Sequence, residues 1–426
     1  LRFFMVGIWY NDASRLGAMI PTTAVPLAVL GVFTIAQWAR ALSGRLAAAQ
    51  WSRGMHQRLV AVRRIRALTW WRWVVYPVVV LALVQTGPLT HDLLVGFEYS
   101  NEERSPTLFS RRNYVQIDPF NPSWPADRGA RPAATINRKH DAKSQGLYIQ
   151  DLMSLTEQWK VLLGLRQDHY RFRSTDYILN QSRDYKGHSL SQRAGVIWQP
   201  VKEHSLYSSW SKSFAPYGGR SQLGILTASS SVYDADPQYS RQIEVGVKSD
   251  WMDNAFSTQF AVYQLEHYNI RYQPDPNDPY IWAVAGKKRS RGMEFTITSR
   301  LIDDWYVRGG IGLTQAKVVS NKSDPSLEGK RLPNVARRNG NLFVRYAPAG
   351  RWYAEVGVTH ASPRWEDEDN TSELPGYTRW DAMLGWRSAP WTVTLGITNL
   401  TDREYWRSTS MPGAPRTVLL SATYQF

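Results

Sequence analysis

The sequence predicts an all-β fold, an antiparallel transmembrane β-barrel, because of its composition, its polarity pattern and the lengths of its connections. Aromatic residues make up 13% of the 426 residues, with 19 Trp and 22 Tyr, yet the mean hydropathy is −0.41. That value is too low for a bundle of membrane helices. A membrane barrel explains both observations, since lipid-facing and lumen-facing residues alternate along each strand and aromatic residues collect at the interfaces.

Alternating polarity is clearest near the C-terminus. In residues 418–426 the apolar side chains at even positions share one face, and Ser421, Thr423 and Gln425 lie on the other. The same period of two occurs at 391–398 and 293–298. In the predicted strand at 239–250, Glu244 and Lys248 lie opposite a row of apolar residues. Charged residues on the second face indicate that this face is wet.

The connections distinguish a barrel from a sandwich, whose strands also alternate in polarity. Short connections alternate with long polar ones, as expected for periplasmic turns and extracellular loops. An aromatic girdle is predicted at the short-turn ends, where Trp159, Trp251, Trp305, Trp352 and Trp391 lie. The 14 predicted strands are 93–100, 144–155, 159–173, 188–199, 205–214, 239–250, 256–269, 289–300, 305–319, 339–348, 352–362, 377–388, 391–401 and 417–426.

Residues 1–90 differ in composition from the barrel region at 91–426. They contain ten Arg, no Lys, one Asp and no Glu, and so carry +9 of the formal net charge of +15. We interpret 1–90 as an atypical Arg/Trp-rich segment, out-of-frame or displaced, that does not pair with the barrel edge at 93–100. The alternative is a membrane anchor with one helix at 18–39. A second apolar run, 73–84, is too short for a membrane-spanning helix.

Several segments of the barrel region carry recognisable motifs. They read YSSWSKSF at 207–214, DPQYSRQIEVGVK at 236–248, GKRLPNVAR at 329–337, LPGYTRWD at 374–381 with TNLTDREY at 398–405, and PGAPRTV at 412–418 before the terminal Phe426. These segments resemble, in the same order, motifs of TonB-dependent outer-membrane ferric siderophore receptors. With 92–99 and 146–151 the resemblance covers about 335 residues. We interpret most of these residues as structural, with Asn399 and Asp402 starting a turn.

The resemblance implies the C-terminal part, about 14 strands, of a barrel of about 22 strands with a plugged lumen. It implies a place in the outer membrane of a Gram-negative bacterium, contact with outer-membrane lipid and insertion by the barrel assembly machinery. The implied function is uptake of a ferric siderophore, energised by a TonB-type protein. The siderophore is the transported ligand, and no permanently bound cofactor is implied. Nucleic acid is not expected as a partner, because most of the basic excess lies in 1–90.

Full members of the resembled family also have a TonB-binding box and a plug, and neither is recognisable here. We therefore expect the chain to be truncated. A switch that couples siderophore to the TonB-type partner needs an element that both can bias. Residues 1–426 expressed alone are accordingly expected not to restore growth of a receptor-deficient strain on a ferric siderophore.

Aromatic residues of the long loops are the candidate ligand-binding residues. A ferric siderophore is a bulky chelate that ring faces and a few hydrogen bonds can hold, without a protein ligand to the iron. For each residue the alternative is a role in the girdle or in loop packing. The candidates are Tyr114, Trp124, Tyr217, Tyr233, Tyr272, Tyr280 and Trp282.

Two other classes of function fit the sequence less well than a receptor. A passive porin-like channel also lacks a plug, but porins favour charged constrictions over aromatic loops. A barrel enzyme needs His, a carboxylate and a nucleophile at one rim. The nearest groups, His169 with Asp168 and His360 with residues 366–369, have no Ser at an informative spacing, and the eight His form no metal-ligand pattern. We therefore expect neither an enzyme nor a metal site.

Overall fold

The computed structural model describes residues 74–109, 133–215, 236–272, 283–322, 324–408 and 411–425. These ranges contain antiparallel strands and one 3₁₀ turn, Pro325–Leu327. No helix within them is long and apolar enough to cross a membrane. In chain order the strands are β1 Val74–Thr86, β2 Leu89–Arg104, β3 Thr107–Leu108, β4 Ile136–Ser154, β5 Trp159–Asp176, β6 Gln181–Val201, β7 His204–Ala215, β8 Gln238–Trp251, β9 Phe256–Tyr272, β10 Ala283–Ile302, β11 Trp305–Ser320, β12 Arg338–Tyr346, β13 Trp352–Ala361, β14 Arg364–Trp365, β15 Glu373–Leu374, β16 Tyr377–Ser388, β17 Trp391–Thr398, β18 Trp406–Ser408, β19 Met411–Pro412 and β20 Thr417–Tyr424.

The main sheet has the order β1-β2-β4-β5-β6-β7-β8-β9-β10-β11-β12-β13-β16-β17-β20, with β3 paired to β4. Consecutive strands therefore pair as antiparallel hairpins, as the sequence predicted. At one end of the sheet the connections are short, and we call this the short-turn end. The opposite end, which carries the long connections, is the loop end. Among the described residues, β1 and β20 each pair on one side only.

The two faces of the sheet have different chemistry, and β5 shows the alternation most clearly. Leu163 and Leu165 are about half exposed, whereas Asp168 and Tyr170 on the opposite face are buried. Across the sheet, large apolar side chains are exposed on the first face, which identifies it as the outer, lipid-facing wall. The five predicted girdle Trp residues lie at the short-turn end and are 41% to 59% exposed.

All 14 predicted strands are present, but several extend further toward the loop end than predicted. Above the apolar band both faces of a strand are polar, so the alternation in sequence disappears while backbone pairing continues. As a result, the predicted long connection 174–187 is a four-residue turn, 177–180, between β5 and β6. The corrected spans are 89–104 for predicted 93–100, 136–154 for 144–155, 181–201 for 188–199 and 283–302 for 289–300.

The prediction that 1–90 makes no pairing with the barrel edge is wrong for its last part. Strand β1 pairs with β2 along its whole length, from Val74 opposite Asn101 to Thr86 opposite Leu89. A run of 13 residues is too short for a membrane helix but long enough for a tilted membrane strand. The run is apolar without alternation, so its sequence carries no period of two. The alternative helix at 18–39 lies outside the described residues.

The connection between β17 and β20 is organised by Asn399, which is fully buried. Its side-chain amide donates to the carbonyl oxygens of Arg403 (2.9 Å) and Ala414 (3.1 Å). Its side-chain oxygen accepts from the Arg403 backbone N–H at 2.8 Å. Asn399 has φ 57° and Asp402 has φ 53°, a region in which Asn and Asp are enriched. The predicted turn at Asn399 and Asp402 is confirmed.

The pairing of β1 with β2 can be tested by cross-linking, because the chain has no Cys of its own. Ala82 lies opposite Leu93, and directly opposed Cβ atoms in antiparallel strands are about 4.5–5.5 Å apart. The double variant A82C/L93C is expected to form an intramolecular disulfide on mild oxidation in membranes, detected as a linked peptide by mass spectrometry. The matched control A82C/L94C places the second thiol on the opposite face and should stay reduced. Equal yields from both pairs would contradict the register.

A second prediction concerns the buried turn residue Asn399. Asn399→Ala leaves two buried carbonyl oxygens and one N–H without partners and should lower the free energy of unfolding by about 2–4 kcal/mol. Asn254→Ala is the matched control, since Asn254 also has a positive φ (66°) but is exposed. It should cost less than about 1 kcal/mol. Urea unfolding in lipid vesicles measures both, and equal losses would show that strain, not hydrogen bonding, makes Asn399 important.

Candidate ligand-binding mouth

The mouth is the inner face of the sheet at the loop end, where the ligand-binding aromatic residues were predicted. Tyr272 is the last residue of β9 and therefore lies at the loop end. The other six candidates lie outside the described residues, so their role stays a prediction: Tyr114, Trp124, Tyr217, Tyr233, Tyr280 and Trp282. The strands that border the mouth are all within the described residues.

A ladder of charged groups lines the inner wall below the mouth. Arg166 on β5 donates to Glu98 on β2 at 2.9 Å and to Asp168 at 2.7 Å. The guanidinium also lies 5.6 Å from the ring centre of Tyr148 on β4. Each of these three charged groups therefore has a partner of opposite sign. Such partners are needed because the groups are only partly hydrated.

The same alternation of acids, bases and rings continues around the inner wall. Tyr207 donates to Glu244 at 2.7 Å. Arg308 donates to Glu355 at 2.8 Å and lies 4.4 Å from the ring centre of Phe343. These contacts join neighbouring strands through their side chains, in addition to the backbone ladder. The wall is thus polar and preformed.

At the loop end, β4, β5 and β6 extend beyond the apolar band as an arm, which we define as residues 136–143 and 168–189. On the outer face of β5 the last exposed Leu is Leu165, and Arg171 and Arg173 follow at outward positions. On its other face the arm carries an aromatic cluster. Tyr170 packs on Tyr185 with ring centres 5.8 Å apart and on Phe214 of β7 at 5.6 Å. Phe172 stacks on Tyr185 at 6.3 Å.

The aromatic cluster is closely packed. Tyr170, Phe172 and Tyr185 are each less than 10% exposed. Gly187 lies opposite Tyr170 in the pairing of β5 with β6, and a Cβ at this position would lie 2.5 Å from the Tyr170 hydroxyl oxygen. Glycine is therefore needed for the ring to lie flat across the arm. The cluster gives the arm a rigid apolar interior that β7 extends through Phe214.

The tip of the arm is held by a buried ion pair. Arg138 Nε donates to Asp176 Oδ2 at 2.7 Å, and both side chains are at most 10% exposed. The other carboxylate oxygen of Asp176 accepts from the backbone N–H groups of Ile178 and Leu179, both at 3.0 Å, and closes the turn 177–180. Burial opposes ionisation, but Arg138 and these two N–H groups hold the pKa of Asp176 below its usual value.

His140 lies beside this ion pair and is only 1% exposed. Its Nε2 has no hydrogen-bond partner in the described part of the chain. Burial, together with the positive charges of Arg138 and Arg104, lowers the pKa of His140 to about 4, against weaker opposing effects of Asp141 and Asp176. The imidazole is therefore neutral at physiological pH, and protonating it would place a third cation next to two Arg side chains.

The acidic run at 366–369, which faces the mouth from the connection between β13 and β16, is bonded within the protein. Asp367 accepts from the Thr371 N–H at 2.9 Å, and its hydrogen bonds to Thr371 lower its pKa. Asp369 lies 3.5 Å from Lys330, and Glu368 lies 3.7 Å from Lys288. No group of three or more His, Cys, Asp or Glu suited to a metal ion occurs among the described residues.

The two enzyme-like pairs weighed from the sequence do not form catalytic groups in the described structure. His169 and Asp168 are neighbours on a strand and point to opposite faces, and Asp168 binds Arg166 instead. His360 Nδ1 lies 2.9 Å from the Thr378 hydroxyl rather than beside an acid of 366–369.

Sequence reasoning missed the inward residues of the arm. The predicted strand 159–173 contains Tyr170 and Phe172, but residues 136–143 and 174–187 were predicted to be loop, so Tyr185 was not placed beside these two rings. A usable signal was present, since residues 168–176 place Asp, Tyr, Phe, Ser and Asp at even positions. In residues 168–176 the even and the odd positions both contain polar side chains, so the period of two is weak in the sequence. It becomes clear only when pairing with residues 136–143 is considered as well.

Comparisons with known proteins cover most of the chain. A family model described as "TonB dependent receptor-like, beta-barrel" matches residues 37–400. The metal-pseudopaline receptor CntO of Pseudomonas aeruginosa is 30% identical over 369 residues, which cover 82% of this chain and 50% of that receptor. The ferrioxamine B receptor of Salmonella typhimurium is 27% identical over 360 residues, 80% of this chain and 49% of that receptor. The chain thus spans about half the length of the curated relatives it matches.

Solved structures show the same fold. The ferric-catecholate import receptor Fiu from Escherichia coli K12, in its closed form, matches with a TM-score of 0.72 and 20% identity, over 83% of this chain and 54% of that one. The siderophore receptor PiuA from Acinetobacter baumannii matches with a TM-score of 0.70 and 21% identity, over 82% and 55% of the two chains. At these identities the likeness concerns the fold of the barrel wall.

The neutral, buried His140 predicts a pH-dependent arm. The pKa of His140 falls from 6.5 in the unfolded chain to about 4 in the folded arm, so between these pH values the proton binds preferentially to the unfolded chain. The folded arm therefore has its full stability above pH 6.5 and loses stability as the pH falls toward 4. At pH 4.5 the loss should be about 2.5 kcal/mol. Amide hydrogen exchange of the arm between pH 7.5 and 4.5, corrected for intrinsic rates, should therefore accelerate by up to about 100-fold.

The control for this prediction is a second His on the same strands. His140→Gln should remove the acceleration, whereas His169→Gln, on the outward face of β5, should keep it. Acceleration that persists in His140→Gln would assign the pH dependence to other groups. Asp176 does not interfere, since its lowered pKa affects stability only below the pH range measured.

Proposed function

Since the chain belongs to the TonB-dependent receptor β-barrel family, we propose that it forms the wall and the extracellular mouth of an outer-membrane receptor that imports ferric siderophores. The observation that carries this proposal is the match of the family model to 37–400, which includes β1 to β17. The motif resemblance found in the sequence is confirmed by this match. Because the chain spans half of its relatives' length, import is proposed for the whole protein.

The mouth supports a ligand held by ring faces and hydrogen bonds. The relatives are named as receptors for metal-pseudopaline (CntO) and for ferrioxamine B. A chelated metal needs no ligand from the protein. In chain order, Tyr114 and Trp124 lie between β3 and β4, and Tyr217 lies between β7 and β8; of these strands, β4 belongs to the packed arm and β7 contacts it through Phe214.

Energised import requires partners beyond the wall. We propose that the polar inner wall accommodates a plug domain, and that a TonB-type energy-transducing protein acts on that plug. The paired charges Glu98, Arg166 and Asp168 favour this over a passive porin-like channel, because porin selectivity uses charge rings that face the permeating solute. Membrane lipid on the outer wall and the barrel assembly machinery, reading the terminal Phe426, complete the proposed set of partners.

The proposal is tested by siderophore binding to outer membranes that contain the chain. Radioiron complexes of a hydroxamate and of a catecholate siderophore are the probes. The chain is expected to bind one class, and W124A/Y280A/W282A should weaken that binding at least tenfold, because each buried aromatic contact contributes about 1 kcal/mol or more.

A matched triple variant checks that the effect is local to the mouth. W159A/W305A/W391A removes three exposed aromatic residues of the girdle at the opposite, short-turn end. It should change siderophore affinity less than twofold. Absence of binding to either probe, or equal losses in the two triple variants, would contradict the proposed mouth.

A further inference from the structure

A hydroxyl, an imidazole and a carboxylate are hydrogen-bonded in series near the short-turn end. The Thr86 hydroxyl oxygen lies 2.7 Å from His91 Nε2, and His91 Nδ1 lies 2.7 Å from Asp151 Oδ2. We call these three residues, which come from β1, β2 and β4, the Thr–His–Asp triad. They are 5 and 60 residues apart in the chain, so their spacing in the sequence does not reveal the series.

The hydrogen bonds of the triad define the tautomer of His91. The Asp151 carboxylate accepts, so Nδ1 of the imidazole carries the hydrogen and donates it. In the neutral ring Nε2 is then an acceptor, and the Thr86 hydroxyl donates to it. This is the arrangement in which an imidazole takes the proton of a hydroxyl nucleophile while a carboxylate orients the ring.

The carboxylate of Asp151 depends on His91. Its Oδ1 atom is buried and has no hydrogen-bond partner among the described residues, and its Oδ2 atom accepts from the imidazole. A proton added to His91 would give this carboxylate an opposite charge in direct contact. Asp151 is therefore placed to stabilise the imidazolium that forms when Thr86 gives up its proton.

The turn that follows Thr86 leaves open space beside the hydroxyl. Gly87 and Pro88 connect β1 to β2, and Gly87 has φ 62°. Apart from its chain neighbours, no described atom lies within 4 Å of the place that a Cβ of Gly87 would occupy. A substrate carbonyl can approach Thr86 from this side. The Gly87 N–H directly follows the hydroxyl residue, the place from which many hydrolases take one oxyanion donor.

The triad lies on the outer wall at the height of the membrane interface. Val84, two residues before Thr86 and on the same face, is 42% exposed. His91 shares a row with Val161 of β5, and the girdle residue Trp159 lies two residues nearer the short-turn end. Thr86, at the end of β1, is therefore level with the girdle. Aromatic girdles mark the interface, where the ester groups of membrane lipids also lie.

An apolar pair would suit this part of the wall better than His91 and Asp151. The residues directly opposite Asp151 on its two neighbouring strands are Leu93 and Leu163. Ionisable side chains among lipid-facing residues cost free energy, and they mark functional positions by default. Backbone pairing already joins β1, β2 and β4 along their length, so the triad is not required to hold these strands together.

We propose that Thr86, His91 and Asp151 form a hydrolytic site for long-chain carboxylic esters of membrane lipids, an activity separate from import. The Thr86 oxygen attacks the ester carbonyl carbon, and its proton passes to His91 Nε2. The bond between this carbon and the alcohol oxygen breaks, and the alcohol leaves with the proton from His91. The acyl group remains as an ester of Thr86.

Water completes the reaction at the interface. His91 takes a proton from a water molecule, whose oxygen attacks the acyl carbonyl carbon. The bond to Thr86 breaks, and the Thr86 oxygen regains a proton from His91. One ester and one water thus give one fatty acid and one alcohol. The exposed apolar wall next to Thr86 accommodates the acyl chain, so a long-chain ester is the expected substrate.

The test uses the purified full chain in mixed micelles, prepared from a host without outer-membrane lipases of its own. The probes are p-nitrophenyl palmitate and dioleoylphosphatidylethanolamine. Hydrolysis above that of micelles alone is expected, with an acyl group on the Thr86 peptide found by mass spectrometry after acid quenching. Absence of hydrolysis of both probes would overturn the proposal. That result would leave the proposed import untouched, because import is tested by binding of radioiron complexes.

Variants distinguish a hydrolytic triad from structural hydrogen bonds. T86V keeps the shape of the side chain and removes the nucleophile, so hydrolysis should fall at least about 100-fold, whereas T86S restores a hydroxyl and should retain it. H91Q should cause a loss as large as that of T86V. The matched control H169Q removes an exposed His of the outer face far from Thr86 and should change the rate less than about twofold.

Folding of each variant is checked by heat-modifiable migration on gels. Hydrolysis that persists in folded T86V would assign the reaction to another group and overturn the proposal. Equal losses in folded H91Q and H169Q would do the same, because they would show that the rate does not depend on the imidazole beside Thr86.

Discussion

The constraint on which this structure depends is that a polypeptide in hydrocarbon must satisfy every backbone N–H and C=O within itself. Antiparallel hairpins between consecutive strands meet this requirement with short connections, and the main sheet contains only such hairpins among its described residues. Side chains are then not needed to hydrogen-bond the backbone groups. Their chemistry is divided by position alone, with alternate residues meeting lipid and lumen.

The constraint ends where the membrane ends, and the functional features begin there. Beyond Leu165 the strands of the arm continue to pair, although water could satisfy their backbone groups there. The extended strands bring additional side chains into contact with one another. The buried ion pair Arg138–Asp176 and the aromatic rings around Tyr170 stabilise the paired strands of the arm. Paired strands hold side chains at the loop end more precisely than an irregular segment of the same length would.

The part of the fold that could be predicted from the sequence is the part that lies within the apolar band. Within the apolar band the period of two is strong, so every predicted strand exists and the Trp girdle lies where expected. Above the band the period fails, which explains why the start of β4 at Ile136 and the start of β6, with Tyr185, were missed. It also fails in β1, where residues 74–84 are apolar at nearly every position. Only pairing with β2 identifies that run as a strand, and pairing is a non-local property.

Because alternate positions meet different surroundings, a shift of one residue in register would exchange the lipid-facing and lumen-facing sets. The short turns prevent this shift. Several have residues with positive φ, such as Asn254 and Asp304, in tight conformations that fix which residues are opposed. The same register places Arg291 on the outer wall and Arg308 on the inner wall, although both lie in neighbouring strands and have the same side chain. Arg291 therefore lies on the lipid-facing side, and Arg308 forms an ion pair with Glu355 on the lumen side.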